Sequence, residues 1–255
     1  MVNSEMERDC EIHNNENLKP LWDAILGVWD VCFDICKRHN LRIWVGYGTA
    51  IGAIRHKGFI PWDDDFDVMM PRSDYNLFMK YAEKELPPYM KWHSIENDSK
   101  YRYLFGKVQD ERVEILNRVK DQTHLNLRQG IFIDFFPLDG LPSSGLSCFV
   151  WYAKRSFIRR MKLFGADLRR MQDWMSKRNF DESSNVAWLL SNIRYPRCVF
   201  KKQWFADTNF VDFENGKVPV PIGVHKVLTH IYGDYMRLPP MEKRRPSHQL
   251  SISES

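Results

Sequence analysis

Long hydrophobic runs are missing from this sequence. No stretch of about eighteen uncharged apolar residues occurs, so no membrane-spanning helix is expected. The first residues, MVNSEMERDCEIHNNEN, are polar and mixed in charge, and without an apolar segment no secretory leader is expected there. Cysteine is scarce. The five, Cys10, Cys32, Cys36, Cys148 and Cys198, are odd in number and lack a disulfide-framework spacing, which suits a reducing cytosol. Cys32 and Cys36 lie four apart, on one side of a helix, and read as small buried apolar residues; no further ligands stand at zinc spacing. A large charge imbalance is absent too. A net charge of +4 excludes a wholesale nucleic-acid binder. Neither a P-loop nor a dinucleotide-binding glycine motif after a strand is present, and no internal repeat or low-complexity run appears.

What is present suffices for a sizeable core. The chain has 255 residues, 44% hydrophobic and 14% aromatic, which fits one domain with an elaboration. Residues 1–17 read as a polar arm and 18–255 as one domain. Leu21, Ile25, Val28, Cys32, Ile35 and Cys36 fall at helical spacing, and the helix should stop near His39-Asn40. A short buried strand, 41–45, leads into Gly46-Tyr47-Gly48-Thr49, with Thr49 as a candidate N-cap for a short helix through Arg55. Backbone N–H groups at such a helix start suit a phosphate.

Asp63, Asp64, Asp65 and Asp67 then place four carboxylates in five positions. Such crowding opposes folding unless positive charge sits among the acids. A solvated acidic turn is the bland reading, but Phe66, Val68, Met69 and Met70 make the segment a strand entering a core. Alternation puts Asp65 and Asp67 on one face and Phe66 and Val68 on the other. Mg²⁺, which takes oxygen ligands from one or two carboxylates together with phosphates, fits that face, and Mn²⁺ could take its place. Asp134 interrupts the apolar run of GIFIDFFPLDG, where a carboxylate is costly unless paired or metal-bound. It is the candidate third carboxylate, the bland reading being a buried Asp with an arginine or backbone donors. Asp139-Gly140 reads as a turn. Lys107, on a middle strand, is a candidate phosphate contact or a solvated strand lysine.

The rest of the chain reads as a helix over 73–86, strands near 89–95, 101–109 and 113–119, and a helical elaboration over about 146–206. In that elaboration Phe157, Met161, Phe164, Leu168, Met171 and Met175 form a helical stripe, and Asp167 is the only acid between Lys154 and Arg170. It is either a core-packed helix with a basic face or a surface for anionic lipid. A second helix is expected over 186–193. A hairpin over 210–220 turning at Asn215-Gly216 and a short helix over 224–232 follow.

Three segments, GTAIGAIRHKGFIPWDDDFDV, IFIDFFPLDGLP and VPVPIGVHKVLTHIYGDYMRLPP, resemble the signature segments of the LicD family. That family includes bacterial phosphorylcholine transferases and is related to the fukutin-type phosphosugar transferases. The likeness runs from the first helix to about Pro240, with Tyr47 standing where many members have glycine. It implies an α+β, nucleotidyltransferase-like mixed sheet with flanking helices. By position it implies that Gly48 and Thr49 contact donor phosphates, that Asp65 and Asp67 bind Mg²⁺, and that Asp134 is a second-metal ligand or general base. Arg55, His56 and Lys107 become phosphate-side candidates, and Asp63 a reserve ligand. The implied reaction passes a phospho-alcohol from a CDP-activated donor to a hydroxyl of a surface-glycan precursor, free or lipid-linked. The expected place is the cytoplasm, at most peripheral to the inner face of the membrane, with no nucleic-acid partner. A nucleotidyltransferase, which would release pyrophosphate rather than CMP, and a non-catalytic nucleotide-binding module are the competing readings.

Overall fold

The computed structural model describes residues 2–98, 101, 103–114, 130–142, 145–162, 170, 178–188 and 197–246. Helix α1, Val2–Arg38, is helical well ahead of Leu18. From Leu18 it buries Leu21, Trp22, Ile25, Val28, Trp29, Cys32, Ile35 and Cys36, steps of three and four that keep one face on the core. The chain then enters a mixed sheet. Strand β1 is Trp44–Val45 and β2 is Asp67–Pro71. Strands β3, Met90–His93, β4, Gly106–Glu114, and β5, Gly130–Gly140, follow. The spatial order is β1-β2-β5-β4-β3, and only the β2–β5 pair is parallel. The last-arriving strand of the five is therefore central.

The sheet separates two cores. Phe66, Val68, Met70, Val108, Ile131, Ile133 and Phe135 face the larger one, beneath α1 and helix α3, Arg72–Glu85. Trp44, Met69, Phe136 and Leu138 face the smaller one. That second face is covered by β6, Asn185–Ala187, β7, Phe200–Lys201, and a helix that we number α5, Val224–Tyr232. Helix α2, Tyr47–Ile51, is continued by one π-helical turn, Gly52–His56. Helix α4, Gly145–Lys162, lies beyond the end of β5. Strands β8, Thr208–Phe213, and β9, Gly216–Pro221, form the expected hairpin, with Glu214 at positive φ in its turn.

Several expectations change. Asp139 and Gly140 do not turn; they extend β5 and pair with Ala187 and Val186. The Asp139 carboxylate is fully buried and accepts two 2.8 Å hydrogen bonds from Arg72 Nε and Nη2, so a paired charge replaces the turn role. Asn185–Ala187 is a strand where a helix over 186–193 was expected, because the segment extends the sheet along β5. Thr49 is inside α2, and Gly46 is its N-cap. The third strand expected over 113–119 falls mostly outside the described residues, as do Phe164, Leu168, Met171 and Met175 of the basic stripe.

Candidate active site

The turn after β1 is unusual at Tyr47. Its φ of 45° is left-handed, a conformation glycine adopts freely and tyrosine rarely. Packing holds it there. The ring meets Phe136 and Trp188 edge-on, with centroids 5.1 and 6.2 Å away, and the buried hydroxyl has no hydrogen-bond partner among the described residues. Gly48 has a different reason to be glycine: a Cβ there would lie 2.7 Å from Asp63 Oδ2. Thr49 is buried, and its hydroxyl accepts a 2.8 Å bond from the Asp67 backbone N–H. The Gly46 N–H in turn donates to the Asp67 carbonyl at 2.9 Å. Both backbone groups of Asp67 are thus fastened to the glycine turn. Thr49 keeps its own hydroxyl proton for a further partner.

Alternation organises the acids as the sequence suggests. Asp63, Asp65 and Asp67 are half-buried on one side, while Asp64, Phe66 and Val68 are buried on the other. The strand proper begins only at Asp67; extended backbone carries the pairing back one residue, Asp134 N–H donating to Phe66 O at 3.0 Å. Asp67 sits in register with Asp134 on β5, Asp134 with Lys107 on β4, and Lys107 with His93 on β3. Register neighbours share a face, so these four side chains form one row on the smaller-core side. Sequence reasoning named three of the four. Burial pushes the Asp67 carboxyl well above its ordinary value, and Asp65, Asp134 and Asp63 push it further; Lys107 pulls the other way. Asp63 is raised in the same manner, first by burial and then by Asp65 and Asp64.

Lys107 is not a solvated strand lysine. It is buried, its ammonium lies 3.1 Å from Asp134 Oδ1, and it sits 3.2 Å from the centre of the Phe132 ring. Burial lowers its pKa, against Asp134, Asp65 and Asp67, which raise it. It is the cation that the acid crowding required. Arg55 also bonds to backbone from far along the chain. Its Nη1 donates to the Tyr235 carbonyl at 2.7 Å and its Nε to His56 Nε2 at 2.9 Å. His56 in turn lies edge-on to Trp62, and burial followed by Arg55 lowers its pKa to about 4. Arg55 and His56 therefore fasten the C-terminal segment to the π-turn.

Three tyrosines join this neighbourhood. The Tyr101 hydroxyl is buried without a hydrogen-bond partner among the described residues, and its pKa is raised by burial and then by Asp134. Tyr232, at the end of α5, is raised by burial and then by Asp67, Asp63 and Asp65; Tyr47 is raised by burial, Tyr232 and Asp67. Sequence reasoning passed over Tyr101 and Tyr232. The one signal for Tyr232 was its place in the third signature segment.

As they stand, no three His, Cys, Asp or Glu side chains among the described residues converge as a metal-holding group. The donor chemistry still suits a hard divalent cation. The acids are oxygen donors, half-buried and mutually repelling, with Lys107 as the buried cation among them. Asp65 and Asp67, with Asp63 or Asp134, are the residues that would hold one.

An α+β domain with a glycine turn bonded to an acidic strand, and a further carboxylate on the parallel neighbour, is a nucleotidyltransferase-like fold. Residues 40–147 match the family described as LicD/FKTN/FKRP, nucleotidyltransferase domain. The chain is 29% identical over 254 residues to the lipopolysaccharide cholinephosphotransferase LicD of Haemophilus influenzae, covering 88% of this chain and 92% of that protein. It is also 32% identical over 89 residues to an uncharacterized protein of Rickettsia typhi, covering 32% of this chain and 29% of that one.

Proposed function

We propose that this protein transfers phosphocholine, or a similar phospho-alcohol, from a CDP-activated donor to a hydroxyl of a surface-glycan precursor of the lipopolysaccharide kind. The observation that carries this is the row Asp67–Asp134–Lys107 across three adjacent strands, fastened through Thr49 to a glycine turn. In this reading the Gly48 backbone and the Thr49 hydroxyl meet the donor diphosphate. Asp65 and Asp67 would hold Mg²⁺, which would offset charge on the diphosphate and on the leaving CMP. The acceptor oxygen bonds to the phosphorus that carries the choline, the bond from that phosphorus to the bridging oxygen breaks, and CMP leaves with the electron pair. Asp134 orients the acceptor hydroxyl or takes its proton, with Lys107 holding the carboxylate in place. Tyr47 and Tyr232, flanking Asp67, border the space in which the donor would lie.

The test is CMP release from CDP-choline in the presence of a lipopolysaccharide acceptor and Mg²⁺. Turnover is expected with the wild type and a loss of at least a hundredfold with Asp65→Ala. Activity that survives that change, or chelation, would sink the mechanism. Pyrophosphate release in place of CMP would instead mark a nucleotidyltransferase.

A further inference from the structure

Helix α4 is amphipathic the wrong way round for a core helix. Its inner face holds Trp151 and Arg155, both buried, and the Cys148 thiol, which donates to the Pro142 carbonyl. A cavity of about 250 Å³ between this face and α5 is lined by Trp151, Tyr152, Trp204 and His230. Its outer face carries Leu146, Phe149, Val150 and Phe157, exposed by 77%, 71%, 44% and 55%. With Ala153, also exposed, they fall at steps of three and four and make one continuous apolar stripe. Phe157, which headed the basic stripe in the sequence, thus points to solvent rather than into the core. A stripe of this kind on a soluble surface marks an interaction site.

Charge selects the occupant. The helix carries Lys154, Arg155, Arg159, Arg160 and Lys162 and no acid, so it holds five positive charges in a chain whose net charge is +4. Arg160 is exposed on the same side as the stripe, one turn beyond Phe157, and Lys154 borders it. Apolar side chains flanked by cations match a surface of hydrocarbon beneath anionic headgroups. We propose that α4 lies in the headgroup layer of an anionic membrane through Leu146, Phe149, Val150, Ala153 and Phe157, with Arg160 on lipid phosphates. This docking does not depend on which reaction the acidic site performs. An enzyme working on lipid-linked acceptors would gain from it a surface on which donor and acceptor meet.

The experiment is co-sedimentation of the full chain with phosphatidylcholine vesicles, with and without phosphatidylglycerol. The wild type should bind the mixed vesicles, weakly bind the neutral ones, and come off with salt. Phe149→Ser with Phe157→Ser should lower partitioning at least tenfold. Ala153→Glu, which removes no packing, should also release the protein. Arg160→Ala should cost about fivefold on anionic vesicles and nothing on neutral ones. Circular dichroism should show all variants folded, since every altered side chain is exposed. Equal binding to both vesicle types, or undiminished binding by Ala153→Glu, overturns the proposal. So does a dimer in vesicle-free solution that the double serine variant converts to monomer, which would make the stripe a self-association face.

Discussion

Asp67 is held in a place that does not favour its charge. A carboxyl whose folded pKa is raised disfavours the folded state at neutral pH, and neutralising it relieves that cost. Asp67→Asn should therefore abolish transfer yet stabilise the metal-free protein. A rise in Tm of about 2–4 °C, the shift that ~1 kcal/mol produces in a chain of this size, is expected by calorimetry in chelator. A fall in Tm would show that the carboxylate is held by attraction rather than against repulsion. The acids were legible in the sequence because crowding of like charge has few structural uses. Lys107 was only half legible. A lysine on a strand carries no mark of which carboxylate it will face, and only the pairing of β4 with β5 puts it beside Asp134. Two of the partners of Arg55, the carbonyls of Tyr235 and Arg237, were illegible for the same reason: they lie far along the chain and belong to the backbone, which sequence patterns do not record.

Among the elements, β5 gathers most of the long-range order. It pairs with β2, β4 and β6, and its last residues carry the buried Arg72–Asp139 ion pair. Removing one partner of a buried pair leaves the other charge desolvated and alone. Asp139→Ala should cost about 3–5 kcal/mol in urea unfolding, whereas a solvent-exposed turn aspartate at this position would cost well under 1 kcal/mol. The Asp-Gly dipeptide suggested such a turn because local chemistry favours it; the arginine at the start of α3 overrides that preference through tertiary pairing. Helices with an apolar stripe at helical spacing, such as α1 and α5, were readable for the opposite reason, since their period and their burial coincide. Helix α4 shows the limit of that logic. Periodicity reports that a helix has an apolar side, and only the fold shows which side the protein covers.

At the scale of the molecule, two half-buried or buried histidines set an acid limit. Burial lowers the pKa of His56 to about 4, with Arg55 adding to the effect, and burial likewise lowers that of His93. The unfolded chain takes up these protons near pH 6.5, while the folded chain resists them. The contribution of these two histidines is then complete above about pH 6.5 and is lost as pH drops toward 4, while the raised Asp63 and Asp67 carboxyls act in the opposite sense. On acidification across that window the urea midpoint of His56→Gln should lose less than that of the wild type, and proton NMR should place the native His56 midpoint at about 4. A His56 midpoint at the ordinary value would remove this residue from the account.

The central position of β5 also governs how the site comes into being. The charges of Asp67 and Lys107 belong to strands that never touch each other, and each reaches the cluster only through β5. During synthesis the glycine turn, the first acids and Lys107 are all made before Asp134. Only with β5 paired to both neighbours do Asp67 and Asp134 meet, and with them the ammonium that makes their company tolerable. The row therefore depends on the non-local pairing of β2 with β5, and until that pairing forms the Asp63–Asp67 acids stand apart from both Asp134 and their counter-charge.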